Sequence, residues 1–581
     1  MDFSVLADCG SFADPYLLLF RALSLIPVWH YFLAFLFAFL VFLYNLLEFH
    51  FFEDVFTGFR GSPVVLTHHS SSDIYNGVIS KCSILHGRYL ATPWLSSPHI
   101  QTAFLDTFGR PPAFSYRREL FHAPDGGTIA LDWLTSSDVS EDGFHMNNAI
   151  SRDDATPIMV VIPGLTSDSS ASYLKHLAFS TAKSGWNIVI SNHRGLGGVS
   201  ITSDCFYNAG WTEDIRIIIK HLHHEFPKAP LFAVGTSIGA NVLVKYLGED
   251  GDNIPVAGAV AICSPWDLLI GDRFIRRKFL QKFYDRALAN GLQVYAQLHE
   301  PRYSRLANWE GIKESRTIRD FDDHATRVVG KFETVDTYYR RCSSASYVGN
   351  VSVPLLCVNA LDDPVCTREA IPWDECRANK NVVLATTKHG GHLAFFEGIT
   401  GAQLWWVRAT LEYLRVLHSS QYMHVQSKIP TLAPPVSLDT PIDHGPFVGV
   451  ADDGMVAALA NEQASDIDTV EESSDPQTPH CGKTEMASNT EQDAQITQPK
   501  SDFVPNIAGS SVKDTDIQNE KPLNVTAPVK RCLDLLRRQG RFSIWLLAYV
   551  AVVTSWPLLG SALQVIYRKK LRNVFPAFLR K

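Results

Sequence analysis

The stretch LFAVGTSIGANVLVKYLG, residues 231–248, decides how this chain folds. It begins as a run of apolar residues, passes through a Gly-x-Ser-x-Gly pentad and leaves in a pattern typical of a helix. A serine between two glycines at such a junction can be an ordinary tight turn. It can also be a nucleophile elbow, in which Ser237 is held on a strained turn and Gly235 and Gly239 clear the space around it. The pentad alone does not distinguish the two.

On either side of the pentad, about residues 115–415 alternate β-rich runs with helical patterns. This alternation predicts an α/β fold, in which helices cover both faces of a mostly parallel sheet. Residues 267–345 lack strong strand patterns and are predicted to be a helical lid inserted between two strands. The predicted strands are GGTIALDWL (126–134), PIMVVIPG (157–164), NIVISNHRG (187–195), PLFAVG (230–235), VAGAVAIC (256–263), VPLLCVNA (353–360) and NVVLATT (381–387).

Two histidines follow the last predicted strand, in the stretch KHGGHLAFFEG (388–398). A nucleophilic Ser237 would need one of them, because a serine hydroxyl is a weak nucleophile without a base. The two glycines between the histidines make a flexible turn that presents the second one. We therefore expect His392, and not His389, to be the base.

An Asp-Asp pair follows the predicted strand 353–360 directly, in the stretch NALDDPV (359–365). Either Asp362 or Asp363 could orient the base. We favour Asp363, because it lies further out along the turn, and expect Asp362 to hydrogen-bond or cap the loop.

The chain order serine, aspartate, histidine is that of α/β-hydrolases and differs from the order in the two best-known serine protease folds. The stretch IPGLTSD (162–168) follows an early core strand, where that fold places its oxyanion loop. The backbone N–H groups of Leu165 and Ile238 are the predicted oxyanion donors. Order, strand placement and spacing together favour a catalytic serine over a coincidence.

Several further motifs accompany these residues over about residues 85–420, and together they resemble the α/β-hydrolase family 4 group. This group includes membrane-anchored animal lipid esterases, plant embryogenesis-associated proteins and a bacterial branch. The motifs are TPWLSSPHIQT (92–102), DGGTIALDW (125–133), IPGLTSDSSASYL (162–174), NHRGLGG (192–198), GTSIGANVLVKYLGE (235–249), CSPWDL (263–268), TIRDFDDHAT (317–326), YYRRCSS (338–344), NALDDP (359–364) and HGGHLAFFEG (389–398).

The resemblance implies Ser237, Asp363 and His392 as a catalytic triad, an N-terminal membrane anchor, and glycerolipid esters as substrates. It does not extend to the HxxxxD motif of some acyltransferase relatives, because Glu397 stands where His392 would need an aspartate. His68 and Asp73 have that spacing, but they lie outside the predicted hydrolase domain and we attribute the match to chance.

Two long apolar segments predict attachment to a bilayer. After a short N-terminal segment (1–21), residues 22–47 contain no charged side chain and are long enough to cross the hydrocarbon. Residues 542–567 are also uncharged, but Pro557 interrupts them. The segment could be an interfacial helix, but because prolines are tolerated in membrane helices we favour a second transmembrane helix there. These segments predict an integral protein of the endoplasmic reticulum or another endomembrane.

Between the hydrolase domain (85–420) and the second apolar segment lies a polar, acidic stretch, predicted to be a disordered linker over residues 421–530. Residues 421–520 hold 17 acidic and 4 basic side chains, whereas the whole chain carries a net charge of −8. The remainder is too mildly basic to suggest nucleic acid as a partner. The ten cysteines form no CxxC pair, so no zinc site is predicted, and no cofactor or other metal site is expected.

The sequence therefore predicts a membrane-anchored serine hydrolase that cleaves carboxylic esters of lipids, such as a monoacylglycerol, a phospholipid or a simple ester. The partners expected are the lipid substrate and the bilayer. One alternative is a lipid acyltransferase that uses the same triad. The other is a catalytically silent scaffold that uses the fold to bind lipid.

Overall fold

The structure, a computed structural model, is built on a nine-stranded sheet. It describes residues 24–139, 150–426, 448–450 and 456–458, all of which belong to the unit Met1–Leu459. In chain order the strands of this sheet are β1 (Val65–His68), β2 (Arg117–His122), β3 (Thr128–Leu134), β4 (Ile158–Ile162), β5 (Asn187–Ser191), β6 (Leu231–Thr236), β7 (Gly258–Ile262), β8 (Leu355–Ala360) and β9 (Val382–Thr387).

The strands lie in the order β1-β9-β8-β7-β6-β4-β5-β3-β2. Strands β4 to β9 pair in parallel, whereas β1, β3 and β2 pair antiparallel with β9, β5 and β3. Every residue of β4 to β9 is buried. Burial on both faces explains why these strands read as continuous apolar runs and do not alternate.

Helices cover the sheet on its two faces and form the long insertion between β7 and β8. A short π-helix (Asp322–Thr326) interrupts that insertion. The α-helices are α1 (Val28–Leu46), α2 (Phe51–Phe56), α3 (Asp73–Gly77), α4 (Pro98–Phe108), α5 (Ser172–Lys183), α6 (Glu213–Glu225), α7 (Ile238–Asp250), α8 (Leu268–Ile275), α9 (Phe279–Leu298), α10 (Glu300–Leu306), α11 (Trp309–Glu314), α12 (Ile318–Phe321), α13 (Arg327–Val329), α14 (Val335–Cys342), α15 (Trp373–Ala378) and α16 (Trp405–His418).

Shorter elements complete the described chain. The 3₁₀ helices are Ile79–Lys81, Pro93–Leu95, Ser136–Asp138, Gly251–Asn253, Ala345–Asn350 and Arg368–Ala370. Three small antiparallel pairs lie outside the large sheet: Ser62–Pro63 with Arg88–Tyr89, Phe396–Glu397 with Gln403–Leu404, and Val448–Val450 with Val456–Ala458.

The two faces of the sheet belong to two separate apolar clusters. In β4, Met159 and Val161 pack into one cluster, which includes Trp406 of α16. Val160 packs into the other, which includes Tyr246 of α7. Successive strand residues point to opposite faces, so one buried strand supplies both cores.

The predicted fold class, a mostly parallel sheet with helices on both faces, is confirmed. Strands β1 and β2 were not predicted, and the sheet begins at Val65, before the predicted domain start at residue 85. Strand β1 is a four-residue edge strand, too short to show a pattern. Strand β2, RRELFH, is largely solvent-facing, so its charged residues hide its strand character.

Near the N-terminus, α1 spans 19 residues, none of them buried, and in the described part of the chain it is the one helix long and apolar enough to cross a membrane. It begins later than the predicted segment 22–47, directly after Pro27, because proline has no N–H and clashes with a preceding helical turn. The first 23 residues lie outside the described residues.

At the C-terminal side, the predictions fall mostly outside the described residues, including the second apolar segment 542–567. Within the predicted linker, 421–530, the chain still contacts the core at His424, whose N–H donates to Ala257 O at 2.9 Å. The described residues of this stretch also include an antiparallel pairing of Val448–Val450 with Val456–Ala458, and the rest of the predicted linker from residue 427 onward lies outside the described residues.

Candidate active site

Ser237 lies at the junction of β6 and α7 with φ 52° and ψ −122°. This positive φ is uncommon for a residue with a side chain and indicates local strain at the turn. The turn is held because the Ser237 N–H donates to Ile262 O at 2.8 Å. A Cβ atom at Gly235 would lie 2.6 Å from Ala240 Cα, and one at Gly239 would collide with the carbonyl oxygens of Ile162 and Pro163. The glycines therefore permit the strained turn.

The structure brings together Ser237, His392 and Asp363. The Ser237 Oγ lies 3.0 Å from His392 Nε2, and His392 Nδ1 lies 2.9 Å from Asp363 Oδ2. The second carboxylate oxygen of Asp363 accepts the N–H groups of Val365 at 2.8 Å and Cys366 at 2.9 Å. The Asp363 side chain is completely buried, whereas that of His392 is 14% exposed. The carboxylate is thus fixed in place, whereas the imidazole remains partly accessible.

Strand topology explains why residues distant in sequence meet here. Ser237 follows β6, Asp363 follows β8 and His392 follows β9. These strands are parallel and lie close together in the sheet, so their carboxyl ends reach the same edge. Ligands and reacting groups in such folds gather at that edge.

Asp362 and His389 form a second pair beside the first. The His389 Nδ1 lies 3.2 Å from one carboxylate oxygen of Asp362, and the other oxygen accepts the Gly391 N–H at 3.0 Å. The ring of His389 also stacks on the ring of His50, with centroids 3.7 Å apart. Asp362 thus holds the turn that carries His392, and the structure does not place it beside that histidine.

The predicted oxyanion loop lies against the nucleophile. A Cβ atom at Gly164 would be 3.4 Å from Ser237 Cβ, which places the turn at Gly164 and Leu165 next to the serine. The N–H groups of Leu165 and Ile238 donate no hydrogen bond within the described residues. Two free N–H groups beside a serine hydroxyl can stabilise a developing oxyanion.

Three aromatic side chains hold this loop, and the sequence did not assign them. Tyr173 Oη accepts the Gly164 N–H at 3.0 Å, and Tyr207 Oη accepts the Thr166 N–H at 3.3 Å. His193 Nε2 lies 3.0 Å from Pro163 O, and its ring stacks on that of Tyr207 at 4.3 Å. Burial lowers the pKa of His193, which favours the neutral ring that donates to the carbonyl. Of the three, His193 lies in the motif NHRGLGG (192–198), which was the available signal for it.

Thr102 is a second residue that the sequence left without a role. Its hydroxyl donates to Pro98 O within α4 at 2.8 Å and accepts the His392 N–H at 3.0 Å. Together with Asp362, it fixes the backbone of the histidine loop from the side of α4. It lies in the motif TPWLSSPHIQT (92–102), which marked the region but not this contact.

Among the described residues, two clusters have ligand atoms within 4.8 Å of one another, close enough to hold a metal ion. In the cluster of Cys263, Asp363 and His392, burial raises the pKa of the Cys263 thiol well above its usual range, which disfavours the thiolate that metals need. In the cluster of His50, Asp362 and His389, the imidazole rings are stacked within 14° of parallel. Their nitrogen lone pairs therefore do not converge on one point, and neither cluster fits a metal site.

Comparison with known proteins places this geometry in a family context. Residues 157–399 match the protein family described as the alpha/beta hydrolase fold. The chain is 36% identical over 358 residues to the embryogenesis-associated protein EMB8 of Picea glauca. The matched region covers 59% of this chain and 76% of the relative.

Two similar proteins carry names that specify an activity. The chain is 30% identical over 319 residues to phospholipase ABHD3 of Homo sapiens, covering 55% of this chain and 76% of that relative. It is 26% identical over 358 residues to the monoacylglycerol lipase of Saccharomyces cerevisiae, covering 56% of this chain and 79% of that one. These names describe the relatives.

Proposed function

This chain belongs to the α/β-hydrolase family and is a hydrolase of the lipase and esterase type, and from that premise we propose that it cleaves carboxylic esters of lipids with Ser237 as nucleophile. The observation that carries the proposal is a pair of contacts made by the His392 ring. Its Nε2 lies 3.0 Å from Ser237 Oγ, and its Nδ1 lies 2.9 Å from Asp363 Oδ2. Two relatives are a phospholipase and a monoacylglycerol lipase, which supports lipid esters as the substrate class.

In the first half of the reaction, Ser237 Oγ attacks the ester carbonyl carbon and its proton passes to His392 Nε2. Asp363 accepts the Nδ1–H of His392, which fixes the tautomer with a free Nε2 and stabilises the imidazolium that forms. The N–H groups of Leu165 and Ile238 donate to the oxyanion of the tetrahedral intermediate. His392 then donates its proton to the leaving alcohol oxygen, which leaves an acyl ester on Ser237.

In the second half, water attacks the acyl ester and gives its proton to His392. The tetrahedral intermediate collapses, the carboxylic acid leaves, and the proton returns to Ser237 Oγ. Each half uses the same oxyanion donors and the same base, so loss of either group should slow both halves.

We propose that α1 anchors the enzyme in a bilayer. Its 19 residues, none buried, would extend about 28 Å at the helical rise of about 1.5 Å per residue, which matches the hydrocarbon thickness. Alkaline carbonate extraction of isolated membranes should leave the full chain in the pellet. Release into the supernatant would contradict the anchor and would leave the chemistry untouched.

Turnover of lipid esters tests the chemistry. The full chain in nanodiscs should release fatty acid from a monoacylglycerol or a phospholipid, and Ser237→Ala should abolish that release while the melting curve stays unchanged. Transfer of the acyl chain to an added lipid alcohol, in place of release as free acid, would indicate the acyltransferase alternative. Undiminished release by the variant would refute Ser237 as nucleophile.

A further inference from the structure

The junction of α8 and α9 presents two aromatic side chains to solvent. Phe279 and Phe283 are 68% and 67% exposed, and their ring centroids lie 6.2 Å apart. They are four residues apart on α9 and therefore share one face of the helix. Val294 and Leu298, on the same helix, are also exposed. Large apolar side chains grouped in this way on a surface mark an interaction site.

The same junction is strongly basic. Residues 271–284 contain five arginines and lysines and one acidic residue, Asp272, which is buried in an ion pair with Arg276 at 2.8 Å. Arg277, Lys278 and Lys282 are exposed on either side of Phe279. A helix with exposed aromatic residues flanked by cations is typical of segments that lie in the interface of a bilayer with anionic lipids.

This basic, aromatic face adjoins the end of the apolar helix α1. Lys278 Nζ lies 3.0 Å from Glu48 Oε1, two residues after α1 ends at Leu46. If α1 crosses the bilayer, its end lies at the level of the lipid head groups. The contact therefore places the start of α9 at the same level.

A neighbouring face of α9 packs toward the candidate active site. Tyr284, next to Phe283, stacks on His99 of α4 with ring centroids 5.7 Å apart, and its hydroxyl donates to His99 O at 3.3 Å. Helix α4 also carries Thr102, which holds the His392 N–H. One helix thus contacts both the proposed membrane level and the helix that positions the base.

We propose that the outward face of α9, formed by Phe279, Phe283, Lys278 and Lys282, docks on the surface of an anionic lipid bilayer, so that lipid esters reach the active site from the membrane. The proposal rests on α1 as the membrane anchor. The phenyl rings would enter the boundary between head groups and acyl chains, and the exposed Lys282 would contact lipid phosphates.

Photo-cross-linking in nanodiscs of phosphatidylcholine and phosphatidylserine tests this docking directly. The full chain would carry p-benzoyl-phenylalanine in place of Phe279, Phe283 or, as a matched control, Leu120. Leu120 is 50% exposed, but it lies on the edge strand β2, at the opposite end of the sheet from β1. After irradiation, phospholipid adducts would be detected by mass spectrometry of the intact chain.

We expect lipid adducts at positions 279 and 283 and none at position 120. Adducts absent from both α9 positions, or equally abundant at position 120, would overturn the proposal. The same labelling in a Ser237→Ala background should be unchanged, because docking does not need the nucleophile. Failure of the proposed chemistry and failure of the docking are therefore separate results.

Kinetics provide a second readout. The double variant Phe279→Ser/Phe283→Ser should lose roughly tenfold in turnover of a phospholipid in nanodiscs, because its interfacial contact is lost, and should hydrolyse soluble p-nitrophenyl acetate at the wild-type rate. Leu120→Ser should leave the two rates unchanged. An equal loss on the two substrates, or no loss on the phospholipid, would contradict docking by this face.

Discussion

Two histidine–carboxylate pairs lie side by side in this molecule, and they differ in what faces the far nitrogen of the imidazole. His392 contacts Asp363 through Nδ1 and Ser237 through Nε2. His389 contacts Asp362 through Nδ1, but its buried Nε2 has no hydrogen-bond partner in the described structure and faces the carboxylate of Glu53 at 3.9 Å. Both histidines have a carboxylate at Nδ1, but of the two only His392 has a hydroxyl at Nε2 in the described structure. This difference is the reason why we propose His392 as the base.

The two carboxylates also differ in how they are used. Asp363 is fully buried and is fixed by two backbone N–H groups. The second carboxylate oxygen of Asp362 accepts a hydrogen bond from the Gly391 N–H, within the turn that carries His392. The second pair therefore positions the first, and its loss should affect the rate only through the placement of the base.

The largest expected effect separates the two histidines. His392→Ala should lower kcat on a soluble p-nitrophenyl ester by roughly 10⁶-fold, as loss of the base does in a Ser-His-Asp hydrolase. His389→Gln should lower it by less than about tenfold, because no reacting proton passes through that ring. Equal losses in two equally folded variants would show that the pairs cannot be told apart by their far nitrogens.

The next effect separates the two aspartates. Asp363→Asn should lower kcat by about 10⁴-fold, because the imidazole loses its correct tautomer. Asp362→Asn should cost about tenfold, since a displaced turn misplaces the base without removing it. The rates should be compared at equal folded fraction, measured by thermal melting. The reverse ranking would assign the catalytic carboxylate to Asp362.

A smaller effect is expected at Thr102, which belongs to neither pair and whose hydroxyl accepts the backbone N–H of His392. Thr102→Val keeps the shape of the side chain but removes that acceptor, and should lower kcat by about tenfold with KM unchanged. Thr102→Ser retains the hydroxyl and should restore most of the rate. A loss confined to KM, or one that serine fails to rescue, would argue against a positioning role.

The smallest effect on rate is expected at His50, which stacks on His389 and lies 2.8 Å from the buried Asp54. His50→Ala should lower the stability by about 1–3 kcal/mol, because Asp54 loses its buried partner. Activity at low temperature should fall by no more than a few fold. A loss of activity as large as that of Asp363→Asn would mean that the second pair takes part in the chemistry.

The sequence predicted the parts of this site that are built locally. Ser237 was found from its pentad, and Asp363 and His392 from their places directly after predicted buried strands. The order of these residues along the chain then matched a known fold. Parallel strands carry strong apolar runs, so the edge of the sheet that gathers these residues was also predictable.

The contacts that hold the site in place could not be predicted in the same way. The stack of His50 on His389 joins residues 339 positions apart, and Thr102 reaches His392 across 290 positions. Such contacts depend on how finished elements pack, and no spacing in the chain records them. Tyr173 and Tyr207 were missed for the same reason, since a buried tyrosine in the sequence resembles any other core residue.

Covalent labelling of the full chain tests most directly the claim that the His392–Asp363 pair activates Ser237. A fluorophosphonate probe should form one adduct per chain, and peptide mapping should locate it on Ser237. Labelling should disappear in Ser237→Ala and should slow by about 10⁴-fold in Asp363→Asn, but only by about tenfold in Asp362→Asn. An adduct on any other residue, or a folded wild-type chain that does not label, would contradict the account.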